Sequence, residues 1–99
     1  MKTYRIDGAR IGSAADLFTE IGRAVNGDGG YFGANLDALA DCLRGGFGTP
    51  ADGGFRFVMT DYRQVKEAVG ARTWGTLVQI FADEGVDLWL RNSPLPEET

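Results

Sequence analysis

The segment Tyr31-Phe32-Gly33-Ala34-Asn35-Leu36-Asp37-Ala38-Leu39-Ala40-Asp41-Cys42-Leu43 is an aromatic loop that runs into a short helix. Asn35 is a good N-cap, because its side-chain oxygen can accept from the free amides of a first turn. Leu36, Leu39 and Leu43 recur at i, i+3, i+7, the spacing of a core-facing stripe. At about 100° per residue, Asp37 and Asp41 then project together, well off that stripe. The pair is locally unfavourable, since like charges one turn apart repel by ~0.2–0.5 kcal/mol. Asp41 also falls near the helix C-terminus, where the macrodipole disfavours an anion. Two such costs on one exposed face suggest that the charges serve something outside the fold. The ordinary alternative is a solvated acidic face, with Arg44 neutralising Asp41 as a surface pair.

Outward from this segment, Lys2 to Ile6 reads as a short strand closed by the turn-like Asp7-Gly8. Ser13-Ala14-Ala15-Asp16 predicts a capping box opening a helix whose apolar face is Leu17, Phe18, Ile21, Ala24 and Val25. Asn26-Gly27-Asp28-Gly29-Gly30 ends that helix. On the other side, Gly45-Gly46 stops the motif helix, and a glycine-rich loop runs to Gly54. Phe55 to Met59 is a second strand. Thr60 or Asp61 is placed to cap a helix running to Gly70, and Thr73 to cap another carrying Leu77, Val78 and Phe81. Val86 to Leu90 is a third strand. Trp74 and Trp89 read as core or partly buried packing residues.

Strand, helices, strand, helices, strand predicts an α/β fold, because helical crossovers favour parallel pairing. The expected architecture is a small three-layer-like domain, with a three-stranded parallel sheet and about four helices. A single domain is expected over residues 1–91, followed by a flexible acidic tail over residues 92–99.

The chain has 99 residues and is 43% hydrophobic, enough for one core without disulfides or metal. Fourteen acids against ten bases give a net charge of −4. That balance argues against a nucleic-acid backbone as direct ligand and suits a cationic protein partner. Cys42 is the sole cysteine, so no intrachain disulfide forms and a reducing compartment is expected. With no signal-peptide core near Met1 and no membrane-length apolar run, the expected location is the cytoplasm.

Several chemistries are poorly served. There is no histidine, the commonest general base and zinc ligand, and the cysteine has no second to join it in a metal site. Gly27 to Gly33 misses the dinucleotide fingerprint, with Phe32 where the third glycine belongs. Asp61 lies just past a strand, as a phospho-accepting aspartate would, but lacks the acidic cluster that holds magnesium. Asp37 and Asp41, one turn apart on one helix, do not face each other across a cleft as paired catalytic carboxylates do. Cys42 reads as an unactivated helix residue. No cofactor, metal or catalytic residue is expected.

The segment Tyr31 to Leu43 resembles the signature of the barstar family, small intracellular inhibitors of bacterial ribonucleases. Two aromatics, Gly33, Asn35-Leu36-Asp37-Ala38-Leu39 and Asp41-Cys42-Leu43 stand in the family's order and spacing. The likeness extends more loosely to the first strand and helix, to Leu77-Val78-Gln79-Ile80-Phe81 and to Gly85-Val86-Asp87-Leu88-Trp89-Leu90.

The resemblance implies the same parallel α/β fold and an inhibitor that acts by occlusion. Its acidic helix would enter the active site of a guanyl-specific bacterial ribonuclease, where aspartates stand in for RNA phosphate. On this reading Asp41 is the central phosphate mimic, Asp37 the second acidic contact, and Tyr31 the loop tyrosine that packs on the enzyme's histidine. Gly33 and Asn35 shape the start of the helix, Ala38 and Arg44 share its contact face, and Asp83 or Glu84 supplies a late acidic contact. The implied protein is a monomer that forms a one-to-one complex, with no nucleic-acid or membrane partner. Ala40 departs from the family by standing where it usually carries a tryptophan, and Gly46 stands where one member of the family has a second, although Phe47 is adjacent. The aromatic lost at Ala40 is the main support for an alternative, a barstar-like module retargeted to another partner such as a toxin nuclease domain.

Overall fold

Strands β1 (Lys2–Asp7), β2 (Phe55–Thr60) and β3 (Asp87–Leu90) form one parallel sheet in the order β1-β2-β3. Helices α1 (Ala14–Asn26) and α2 (Leu36–Arg44) connect the first two strands. Helices α3 (Tyr62–Val69) and α4 (Ala71–Asp83) connect the second and third. The structure is a computed structural model and describes residues 1–92; the expected tail beyond Asn92 lies outside the described residues. The α/β class, the parallel sheet and the four helices are as the sequence predicts.

The layering is simpler than a three-layer arrangement. Both crossovers step one strand in the same direction, so a common right hand places both helix pairs on one face of the sheet. The core follows that geometry. Tyr4 and Ile6 of β1 and Phe55, Phe57 and Met59 of β2 pack with Leu17, Ile21, Leu39, Leu43, Val65, Trp74, Leu77 and Phe81 from the helices. The alternate residues Thr3, Arg5, Arg56, Asp87 and Trp89 turn to the other face. There the Arg56 guanidinium lies 4.4 Å from the Trp89 ring centroid and its Nε donates to Thr3 Oγ1 at 3.0 Å. Trp89 is 51% exposed, so of the two tryptophans expected to pack only Trp74 joins the core.

Local capping signals set the start of α1 but not those of α3 and α4. Ser13 caps α1 by accepting from the Asp16 amide at 3.1 Å. The Asp16 carboxylate, however, accepts from Gly12 N rather than from Ser13 N, so the box is displaced by one residue. Neither expected hydroxyl or carboxylate caps α3. Asp61 occupies the N-cap position with φ 49° and makes no side-chain cap bond. The Thr60 hydroxyl instead binds inside the sheet, accepting from Gly8 N and donating to Ile6 O. Thr73 lies within the first turn of α4, because Gly70 at φ +89° ends one helix and starts the next in a single residue.

The outer edge of β1 is sealed by α1. Glu20, only 3% exposed, accepts from Asp7 N at 2.7 Å through Oε2. Arg23 binds the same carboxylate through Nε and Nη2, both at 2.6 Å, and its Nη2 also reaches Arg5 O at 3.3 Å. The two side chains therefore occupy backbone positions that a fourth strand would otherwise use. Burial alone would raise the Glu20 pKa. The Arg23 and Asp7 hydrogen bonds, with the Arg23 and Arg10 charges, outweigh that and hold it below the usual glutamate value.

Candidate functional site

Helix α2 is positioned from below by its leucines and from its N-terminus by the preceding loop. Leu39 and Leu43 are buried, Leu36 partly so, and Asn35 Oδ1 accepts from Ala38 N at 2.8 Å as the sequence predicts. In the loop the two aromatics separate. Phe32 is fully buried, its ring 6.1 Å from that of Phe57, while Tyr31 is 54% exposed. Gly33 brings the backbone onto α2 with φ +93°, and a Cβ there would lie 2.6 Å from Leu39 N and 2.8 Å from Leu39 Cα. Only glycine fits both constraints. Gly33→Ala is expected to lose about 2–4 kcal/mol of stability, from the strained φ and the push against the helix backbone. Urea unfolding of both proteins measures it; an unchanged midpoint would refute the packing argument.

Two loops flank the helix and are tied together by a residue that the sequence reading passed over. Asn26, the last residue of α1, donates through Nδ2 to Tyr31 O and to Phe47 O, each at 2.8 Å. The Tyr31 and Phe47 rings then stand 6.4 Å apart, both exposed. Asn26 carries no local signal for this role, because it reads as a helix stop and one of its partners is 21 positions away. Phe47 thus provides exposed aromatic surface beside the helix, next to Gly46.

Asp37 and Asp41 are both exposed on α2, as their spacing predicts. Asp37 sits in the first turn, where the dipole favours an anion, and no ion pair among the described residues uses it. Asp41 is balanced by Arg44, whose Nη1 donates to Oδ1 at 2.7 Å. The same guanidinium forks onto Glu84, with Nε at 3.1 Å from Oε1 and Nη2 at 3.0 Å from Oε2. The Glu84 side chain is 15% exposed against 62% for Arg44, so Glu84 is the anchor of this chain of charges. Of the two late acids the sequence offered, Glu84 joins the cluster while Asp83 accepts from Gln79 Nε2 within α4. Arg44 therefore links the end of α2 to the end of α4 and fixes Asp41 from one side.

Barstar (barnase inhibitor) is the family whose profile matches the chain, over residues 1–95. The chain belongs to the barstar family. No curated protein matches it. Barstar-family proteins are inhibitors, not enzymes, and the helix, loop and parallel sheet above are the barstar fold in this chain.

Within this barstar-family chain, Tyr31, Gly33, Asn35, Asp37, Ala38 and Asp41 lie along one continuous loop and helix, and Arg44 brings Glu84 to it. Their accessibility differs. Gly33 is buried and Ala38 partly so, whereas Tyr31, Asn35, Asp37, Asp41 and Arg44 are exposed. Cys42 faces the core, and burial, with a smaller effect of the Asp41 charge, pushes its thiol pKa up. A thiol so placed is not a nucleophile. Among the described residues no helix is long and apolar enough to cross a membrane, and no group of three or more His, Cys, Asp or Glu could hold a metal ion.

Proposed function

We propose that this barstar-family protein inhibits a guanyl-specific bacterial ribonuclease by placing α2 in the enzyme's active site, with Asp41 and Asp37 standing in for RNA phosphate. The observation that carries this reading is the exposed pair of carboxylates on α2, one of them oriented by an Arg44 that Glu84 clamps. A ribonuclease must hold phosphate with cationic side chains, and carboxylates held rigidly can satisfy those cations while excluding substrate. Tyr31 and Phe47 add exposed aromatic surface of the kind that anchors interface cores. Arg44 plays a positioning role towards Asp41, and Glu84 acts through Arg44.

Titration calorimetry against a panel of bacterial guanyl ribonucleases, paired with inhibition of RNA cleavage, tests this directly. Tight one-to-one binding with loss of cleavage is the expected result, and no binding to any member by the folded protein would defeat the proposal. Association is also expected to slow steeply with salt, because steering is screened over about 10 Å at 0.1 M. A stopped-flow on-rate that is flat with ionic strength would rule out electrostatic capture.

A further inference from the structure

The sheet has two edges, and among the described residues only the β1 edge is sealed. Whereas α1 covers the β1 edge through Glu20 and Arg23, β3 is the other edge of the sheet. Trp89 and Leu90 on this strand are 51% and 39% exposed. We propose that β3 pairs antiparallel with β3 of a second copy of this chain, about a two-fold axis at Trp89, to give a continuous six-stranded sheet.

The backbone directions fit this register. Arg91 N donates to Met59 O and Arg91 O accepts from Tyr62 N, so the Arg91 peptide groups face inward. By alternation Trp89 and Asp87 also face β2, and the N–H and C=O of Leu88 and Leu90 point out of the edge. A two-fold axis at Trp89 places Leu88 opposite Leu90 of the second copy, and the reverse. Those are hydrogen-bonded pairs, four bonds in all by the antiparallel pattern. Trp89 then meets its own copy at a non-hydrogen-bonded position, where facing side chains come closest.

The sequence is self-complementary in the same register. Asp87-Leu88-Trp89-Leu90-Arg91 has opposite charges at its two ends around an apolar centre. Pairing puts each Asp87 opposite an Arg91, so two ion pairs close the contact. Both side chains are exposed, and no ion pair among the described residues uses either. A parallel alignment or a shifted register would lose this match, which is what a closed, isologous contact requires. None of Tyr31, Asp37 or Asp41 lies on this edge, so the contact is independent of the proposed inhibitory site.

Sedimentation equilibrium on the full chain, at up to about 1 mM because so short a strand makes a small interface, tests the pairing. Twice the chain mass of 10.7 kDa is expected at the upper concentrations. Asp87→Arg alone and Arg91→Asp alone each oppose like charges twice and are expected to weaken association on the order of tenfold or more. An equimolar mixture of the two variants restores it, since each then faces its complement, and the double reversal in one chain restores it as well. Circular dichroism confirms that these exposed substitutions leave the fold intact. A parent that stays monomeric throughout, or a dimer indifferent to the single reversals, would overturn the proposal.

Discussion

Asp41→Ala is expected to weaken the complex with a cognate ribonuclease by about 4 kcal/mol, roughly a thousandfold in Kd, while changing thermal stability little. The size is that of a desolvated charged hot spot, a range that includes measurements on the barnase–barstar pair itself. The free protein holds Asp41 on the surface, bonded to Arg44 alone among the described residues. Its loss there removes one exposed ion pair, worth about 0–1 kcal/mol. In the proposed complex the same carboxylate would lie among the cations that otherwise bind phosphate, and truncation leaves those cations buried and unpaired. Binding and stability should therefore separate cleanly. Calorimetric titration and a thermal melt of parent and variant measure the two effects, and a variant that inhibits as well as its parent would end the phosphate-mimic proposal.

The largest effect on stability is expected at Glu20. Glu20→Ala leaves the Arg23 guanidinium without its two 2.6 Å bonds and the Asp7 amide without its acceptor. It also opens a gap beneath the β1 edge. Breaking one side of a buried pair costs about 3–5 kcal/mol, and Arg23, being partly exposed, can recover some hydration, which favours the lower end. For a domain of this size each kcal/mol shifts Tm by about 4–8 °C, so a drop of more than ~10 °C is expected. The effect depends on pH with a definite sign. Because the folded-state pKa of Glu20 lies below its ordinary value of 4.5, the carboxylate's contribution is fully present above that value. It fades as the pH falls through the depressed folded-state pKa, where Glu20 becomes protonated in both states. The gap between melts of parent and Glu20→Ala should be full above pH 4.5 and narrow progressively as the pH falls below it. A constant gap across that window would mean that packing, not charge, fixes the edge.

Much of the acidic helix could be read directly from its residues. The Asn35 cap, the leucine stripe and the outward aspartates depend on spacings of a few residues, and a helix of known pitch converts those spacings into directions. Asp61 and Thr73 show the limit of the same reasoning. Each is a good capping residue in the right neighbourhood, yet Gly70 and the left-handed backbone at Asp61 set the actual helix starts. Capping propensity is a preference of about 1 kcal/mol, and the path of the chain across the core can override it.

Composition and periodicity were enough for the α/β class, the parallel strands and the helix that carries Asp37 and Asp41. These follow from local regularities, which repeat along the chain and do not depend on where distant residues lie. Tertiary structure decided the strand order β1-β2-β3, which sends every helix to one face and leaves Arg56 and Trp89 on the other. It also decided that Glu20 is a buried strand mimic, that Asn26 holds the Tyr31 and Phe47 loops together, and that Glu84 clamps Arg44 across 40 positions. Each is a polar contact between segments remote in sequence. Hydrophobic spacing records which side of an element is buried, but it carries no information about which distant polar group will meet it there.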